Sequence, residues 1–123
     1  MVETDELVGH FAAEPAAAAA RYGRQTFQVR GEIERFNPSL FTRGFTVVLA
    51  SPDRAYSVVC QFNYIGRYQT VFLTGNGRTL TARLENGREV TLFEAGQTVE
   101  IEGRCAPADK HGEIEFSRCV LPP

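Results

Sequence analysis

Two short stretches of this chain set aromatic rings beside guanidinium groups: Phe36, Phe41 and Arg43 in one, Tyr64, Arg67 and Tyr68 in the other. Arg78, Arg83 and Arg88 follow at regular intervals. Rings on which bases stack, next to cations that pair with phosphates, are what single-stranded nucleic acid needs. The same residues also fit a structural role. Phe41 and Tyr64 would then close the ends of a core, and the arginines would keep an exposed hairpin soluble.

No constellation for catalysis accompanies them. His10 falls in a helical stretch and His111 in a polar loop, and neither has a motif pairing it with a nucleophile. Glu100 and Glu102, like Glu113 and Glu115, alternate on strands, as solvated faces do. No phosphate-cradling glycine loop is present, and Gly75-Asn76-Gly77 reads as a turn. Cys60, Cys105 and Cys119 are an odd count without Cys-x-x-Cys spacing, which suits buried small residues better than a metal site. A bridge between Cys105 and Cys119 stays open for an oxidising compartment. The expectation is a binding protein, not an enzyme, with no cofactor and no metal.

Charge is unevenly placed. From Arg21 to Arg88 there are ten arginines against four acids, while the whole chain carries a net charge of −2. Lys110 is the single lysine among thirteen basic residues. Arginine suits phosphate recognition, although an arginine- and alanine-rich composition also follows from a GC-rich genome. No apolar run reaches the roughly 18 to 20 residues that span a bilayer, so no membrane span is expected. The start, Met1-Val2-Glu3-Thr4-Asp5-Glu6, is acidic and lacks an export signal. As it stands it predicts a cytoplasmic protein, and a periplasmic one if a signal has been removed.

The elements that would position these residues follow from periodicity. Residues 4–22 read as helix, with Thr4 as the cap, Asp5 and Glu6 at the positive end, and Leu7, Val8 and Phe11 on one stripe. Pro15 starts a second helix through the alanine run, and Gly23 ends it in a left-handed turn. From Arg24 the period becomes two. Phe27 to Glu34 is a strand with Gly31 on its inward face, a place for a bend or bulge. Phe36 to Arg43, with Asn37-Pro38-Ser39, reads as a loop. Gly44 to Ala50 and Tyr56 to Phe62 are strands joined by Ser51-Pro52-Asp53-Arg54, with Tyr56, Val58, Cys60 and Phe62 inward.

Strands near 68–74, 79–84 and 89–93 form a meander, with Asn76-Gly77 and Asn86-Gly87 as two-residue turns. Thr98 to Cys105 faces Val99, Ile101 and Gly103 inward, and Glu113 to Leu121 is the last strand, with a bulge at Ser117-Arg118 where alternation slips. Amphipathic strands of this number need a closed sheet to hide one face. The expected fold is all-β with an N-terminal helix: a five-stranded Greek-key barrel with an extra meander between its third and fourth strands. Residues 1–23 would pack as a helical segment on a barrel of residues 24–123, with an insertion at about 64–93.

The order of segments resembles the tRNA-anti-like OB-fold family, small bacterial domains often described as lipoproteins. The resemblance runs from Phe11 through Arg21-Tyr22-Gly23-Arg24 to Phe27-Gln28-Val29-Arg30-Gly31-Glu32-Ile33. It resumes at Val59-Cys60-Gln61-Phe62, at Gly96 to Cys105 and at Cys119-Val120-Leu121. It implies an OB barrel with a helix packed at its start, and nucleic-acid binding with no catalytic or binding residue to carry over. Barrels of this type bind across their second and third strands, flanked by the first and last hairpin loops. That places Phe41, Arg43, Tyr64, Arg67, Tyr68, Arg78, Arg83 and Arg88 as candidate nucleic-acid contacts. The chain departs from the family in its missing lipid-bearing cysteine and its longer double Asn-Gly segment. That segment also suits an arm pairing its edge with a protein partner or a second copy. An oligosaccharide or small ligand is a third candidate.

Overall fold

The computed structural model describes residues 1–39, 43–64, 67–106 and 112–121. Its longest element is strand β2, Thr26–Ser39, which runs between two neighbours. Its first half pairs antiparallel with β8 (Thr98–Cys105), setting Val29 opposite Ile101 and Gly31 opposite Val99. Its second half pairs antiparallel with β3 (Gly44–Leu49), setting Ile33 opposite Leu49 and Phe36 opposite Val47. β3 pairs with β4 (Ser57–Asn63), β4 runs parallel to β9 (Glu113–Val120), and β9 returns to β8. The order β2-β3-β4-β9-β8 closes on itself as an OB-like all-β barrel.

Phe36–Ser39 is strand rather than loop. A register shift between Ile33 and Arg35 inserts one residue, so inward positions change from odd (Val29, Ile33) to even (Phe36). Pro38 is tolerated because β8 has ended at Glu32, leaving the other edge of this half without a ladder. The bulge therefore sits at Glu34, not at Gly31. Gly31 serves a close approach instead: a Cβ there would lie 2.3 Å from Thr4 Oγ1 and 3.4 Å from Leu49 Cδ1.

Thr4 is there because β1 (Val2–Glu3) pairs in parallel with β2 at Val29 and Arg30, drawing the start of helix α1 (Thr4–Ala13) onto the strand. Its hydroxyl donates to the Arg30 carbonyl at 2.8 Å. Thr4 is thus the first helical residue and not the cap; Glu3 holds the cap position without a side-chain bond. Leu7, Val8 and Phe11 bury the expected stripe, and the Tyr56 hydroxyl donates to the Phe11 carbonyl at 3.1 Å. Pro15 opens α2 (Pro15–Tyr22) as its geometry favours. Gly23 is extended at the end of that helix, and Arg24 takes the left-handed conformation, φ 64°.

The meander is present as β5 (Thr70–Thr74), β6 (Thr79–Arg83) and β7 (Glu89–Glu94). Its turns differ from the expectation. In the first, Gly75, Asn76 and Gly77 all have positive φ in a four-residue loop. In the second only Gly87 does, and the Leu84 N–H donates to the Arg88 carbonyl across a three-residue loop. Nor does the meander project as a ribbon. Val71, Leu80, Ala82 and Phe93 are buried in the same cluster as the barrel's Val47, Val58, Ile101 and Phe116, so it forms part of the wall.

The Thr4–Gly31 contact gives a first prediction. Gly31→Ala should cost about 1–3 kcal/mol by overpacking, and Thr4→Ala about 1 kcal/mol through its lost hydrogen bond. Because the two residues touch, the double variant should cost less than their sum by at least about 0.5 kcal/mol. Urea unfolding of the four proteins checks this, and strict additivity would contradict the contact.

Candidate functional site

Alternation on the β3–β4 hairpin turns Val47, Leu49, Val58 and Cys60 into the barrel and leaves Thr46, Val59 and Gln61 outward. The parallel pairing of β4 with β9 runs from Ser57 opposite Glu113 to Cys60 opposite Phe116, and there it stops. β4 continues to Asn63 and β9 to Val120, so the two strands part. The cause lies in β9. Its register against β8 shifts between Arg104–Ser117 and Glu102–Val120, and Arg118 stands at φ 53°. Gly103 makes room for this bulge, since a Cβ there would come within 2.8 Å of Cys119 Sγ and 3.1 Å of the Ser117 carbonyl oxygen.

Between the parted strands lies a groove of about 610 Å³, lined by Gln61, Phe62, Asn63, Arg67, Arg118 and Val120 among others. Among the described residues no carboxylate lines it. Glu115, the nearest acid along β9, accepts a hydrogen bond from the Gln61 amide. The ion pairs among the described residues are Arg30–Glu3, Arg35–Glu34 and Arg83–Glu89, which leaves Arg67 and Arg118 without an acidic partner there. Guanidinium groups stay charged at any physiological pH.

A smaller recess of about 190 Å³ adjoins the groove and shares Phe62, Asn63, Arg67 and Val120 with it. Its walls are apolar: Phe45, Tyr68, Leu92, Phe93 and Leu121. Phe45 and Phe62 stack with centroids 5.0 Å apart and planes 8° from parallel, and Phe93 tilts against both. Val120 and Leu121, at 40% and 53% exposure, are among the few large apolar side chains turned to solvent.

The sequence-derived candidates are dispersed by the fold. Arg67 and Tyr68 meet at the recess. Arg43 is exposed beside the groove's Gly44, with φ 49°, and its carbonyl accepts the Tyr64 N–H at 3.0 Å. Tyr64 is buried in the core cluster at 5% exposure, so its ring is not offered to solvent. Phe41 lies outside the described residues. Arg78, Arg83 and Arg88 line neither cavity. Arg78 reaches the Ala95 carbonyl at 3.4 Å, while Arg83 pairs with Glu89 at 3.0 Å and lies over the Phe72 ring. Arg88 is exposed at the tip of the second hairpin. Sequence reasoning missed Arg118 and the Phe62–Phe93 wall. The slip in alternation at Ser117-Arg118 was the available signal.

Ser117 and Cys119 border the groove, and Cys60 and Cys105 lie in the core. Cys60, Cys105 and Cys119 are unbridged and buried. A hydrogen bond with Cys119, together with burial, holds the Cys60 thiol well above its usual range, and burial pushes Cys105 up to about 12. Such thiols are neutral and inert at physiological pH. His10 Nδ1 is hydrogen-bonded to the Tyr22 hydroxyl, and their rings stack. Among the described residues no group of three or more His, Cys, Asp or Glu side chains could hold a metal ion. No helix among them is long and apolar enough to cross a membrane. The groove offers cations, carboxamides and aromatic surface.

No family model matches this chain, and no curated protein matches it. Among solved structures it is similar to a "putative nucleic acid-binding lipoprotein" of Klebsiella pneumoniae subsp. pneumoniae, with 14% sequence identity over 100% of this chain and 92% of that one and a TM-score of 0.60. The likeness is one of fold, a small OB-like barrel.

Sealed thiols give a second prediction. Native protein at pH 8 should leave an aromatic disulfide reagent unconsumed over a time in which unfolded protein reacts at all three cysteines. A rapidly reacting native thiol would contradict their burial. The raised Cys105 value adds stability that is fully present below pH 9 and is lost as pH climbs toward about 12. Cys105→Ala should remove that part of the alkaline decline in the urea midpoint.

Proposed function

We propose that this chain is a non-catalytic binding domain of the tRNA-anti-like OB-fold kind, and that it takes single-stranded nucleic acid in the groove between β4 and β9. One observation carries the reading: among the described residues Arg67 and Arg118 have no acidic partner and no carboxylate lines their cavity, which runs against a wall of Phe62 and Tyr68. Phosphates pair with the cations and bases lie on the rings. A duplex keeps its bases stacked inside and cannot use the aromatic wall. The net charge of −2 does not oppose this, because the acids of the α1 first turn and of β8 line neither cavity. The groove opens beside the β3–β4 hairpin, part of the face across which barrels of this type bind their ligands. The name of the Klebsiella protein, whose fold is similar, agrees with the reading.

Binding of a fluorescent fifteen-residue oligothymidylate, followed by anisotropy, tests it. Two neutralised phosphates give a salt slope of about −1.4 for a single strand, hence about 7-fold weaker binding at 200 mM than at 50 mM salt. Arg67→Ser combined with Arg118→Ser should weaken binding and flatten that slope. Arg78→Ser with Arg88→Ser, outside the groove, should preserve the slope. No binding at 50 mM, or an unchanged slope in the groove variant, would overturn the proposal.

A further inference from the structure

The recess and the groove are unlike in chemistry and joined along one seam. The recess is small, about 190 Å³ against the roughly 300–1,000 Å³ of a pocket for a drug-sized ligand. Half-buried Phe62, Tyr68 and Leu92 face it, backed by Phe45 and Phe93, which are buried in the core. Arg67 borders both cavities, and Arg118 faces the groove alone. A ligand that fills both must therefore be flat and apolar in the recess and anionic in the groove beside it.

Arg118 carries a second indication. It holds the left-handed conformation, φ 53°, which is unfavourable for a side-chain-bearing residue and free of cost for glycine. A bulge needing only that backbone shape would be met more stably by glycine. The arginine is held there by a bulge, a device that re-aims side chains at binding sites.

We infer that the recess seats one unstacked nucleobase, while the phosphates on its two sides lie against Arg67 and Arg118. The inference rests on the nucleic-acid reading of the groove and adds the unit recognised: a single splayed nucleotide within a flexible strand. Affinity then depends on one base and its neighbouring phosphates, and hardly on strand length beyond them. An aromatic side chain of an acidic peptide is the competing occupant. The absence of carboxylates among the described residues beside the two guanidiniums favours the more densely charged ligand.

Three fluorescent pentamers separate the possibilities at 50 mM salt: pentathymidylate, a pentamer with one central thymine among abasic units, and a fully abasic pentamer. The one-thymine probe should bind about 5- to 150-fold tighter than the abasic one, the worth of one stacked base. Pentathymidylate should gain over it no more than its number of bases accounts for. Leu121→Trp, at an exposed residue lining the recess, should bring the one-thymine probe down to the abasic affinity and leave the abasic probe unaffected. Arg118→Gly should weaken all three probes while its urea midpoint equals or exceeds the parent's.

Equal affinity for the one-thymine and abasic probes would overturn the base-seating inference and leave the phosphate groove standing. A much larger gain for pentathymidylate would mean that several bases are held, and would overturn it too. A tryptophan-bearing acidic peptide competing as well as the one-thymine probe would assign the recess to a protein chain. No binding by any pentamer or by the fifteen-residue strand would remove the groove reading as well.

Discussion

Strand β2 must serve two partners at once, and the architecture follows from how it manages this. Fourteen residues, Thr26–Ser39, give one half to β8 and the other to β3. Side chains on a strand alternate, so a strand that coils around a closed barrel must adjust its phase where it changes partner. The extra residue at Glu34 makes that adjustment, changing the inward set from Val29 and Ile33 to Phe36. Gly31, just before it, lets the first turn of α1 rest on the strand, with the Thr4 hydroxyl on the Arg30 carbonyl. Closure, helix docking and the placement of β3 all depend on this stretch.

A second phase change produces the groove. On β9, Ile114 and Phe116 point inward, the bulge at Arg118 intervenes, and Cys119 is buried next. The strand leaves β4 after the Cys60–Phe116 pair and folds over Gly103, opening a gap that a continuous ladder would have closed. The groove is thus a consequence of backbone register, and its cations are placed by the two ends of the gap: Arg67 beyond β4 and Arg118 on the bulge. Meander residues Leu92 and Phe93 supply the adjoining apolar wall, which gives the inserted segment a part in the site.

Much of this was legible in the chain itself. Period-two patterning located the barrel strands and the meander, and the Leu7, Val8 and Phe11 stripe located the helical start, because each element buries one face and its period survives in the residue types. The Phe36–Ser39 segment was illegible for a definite reason. Its alternation is out of phase with the residues before it, and Asn37-Pro38-Ser39 has the composition of a turn, so only the pairing with β3 identifies it as strand. The Asn-Gly pairs marked the turns correctly but not their type, since loop length was set by the register of β5 to β7. In the site, Arg67 and Tyr68 were visible as an aromatic beside a cation. Arg118 was not, because sequence can register a slipped alternation but not which side chain the slip turns outward. Tyr64 looked like its neighbour Tyr68, and burial alone separates them.

The central claim is that the parting of β4 and β9 is the place where a single strand is held. Backbone amide shifts of nitrogen-labelled protein titrated with oligothymidylate test it most directly. The account predicts the largest changes at Gly44, Gln61 to Asn63, Arg67, Tyr68 and Ser117 to Leu121, with helices α1 and α2 and the β2–β8 face quiet. Changes concentrated on the helices, on the β2–β8 face or on the tips of the meander would contradict it.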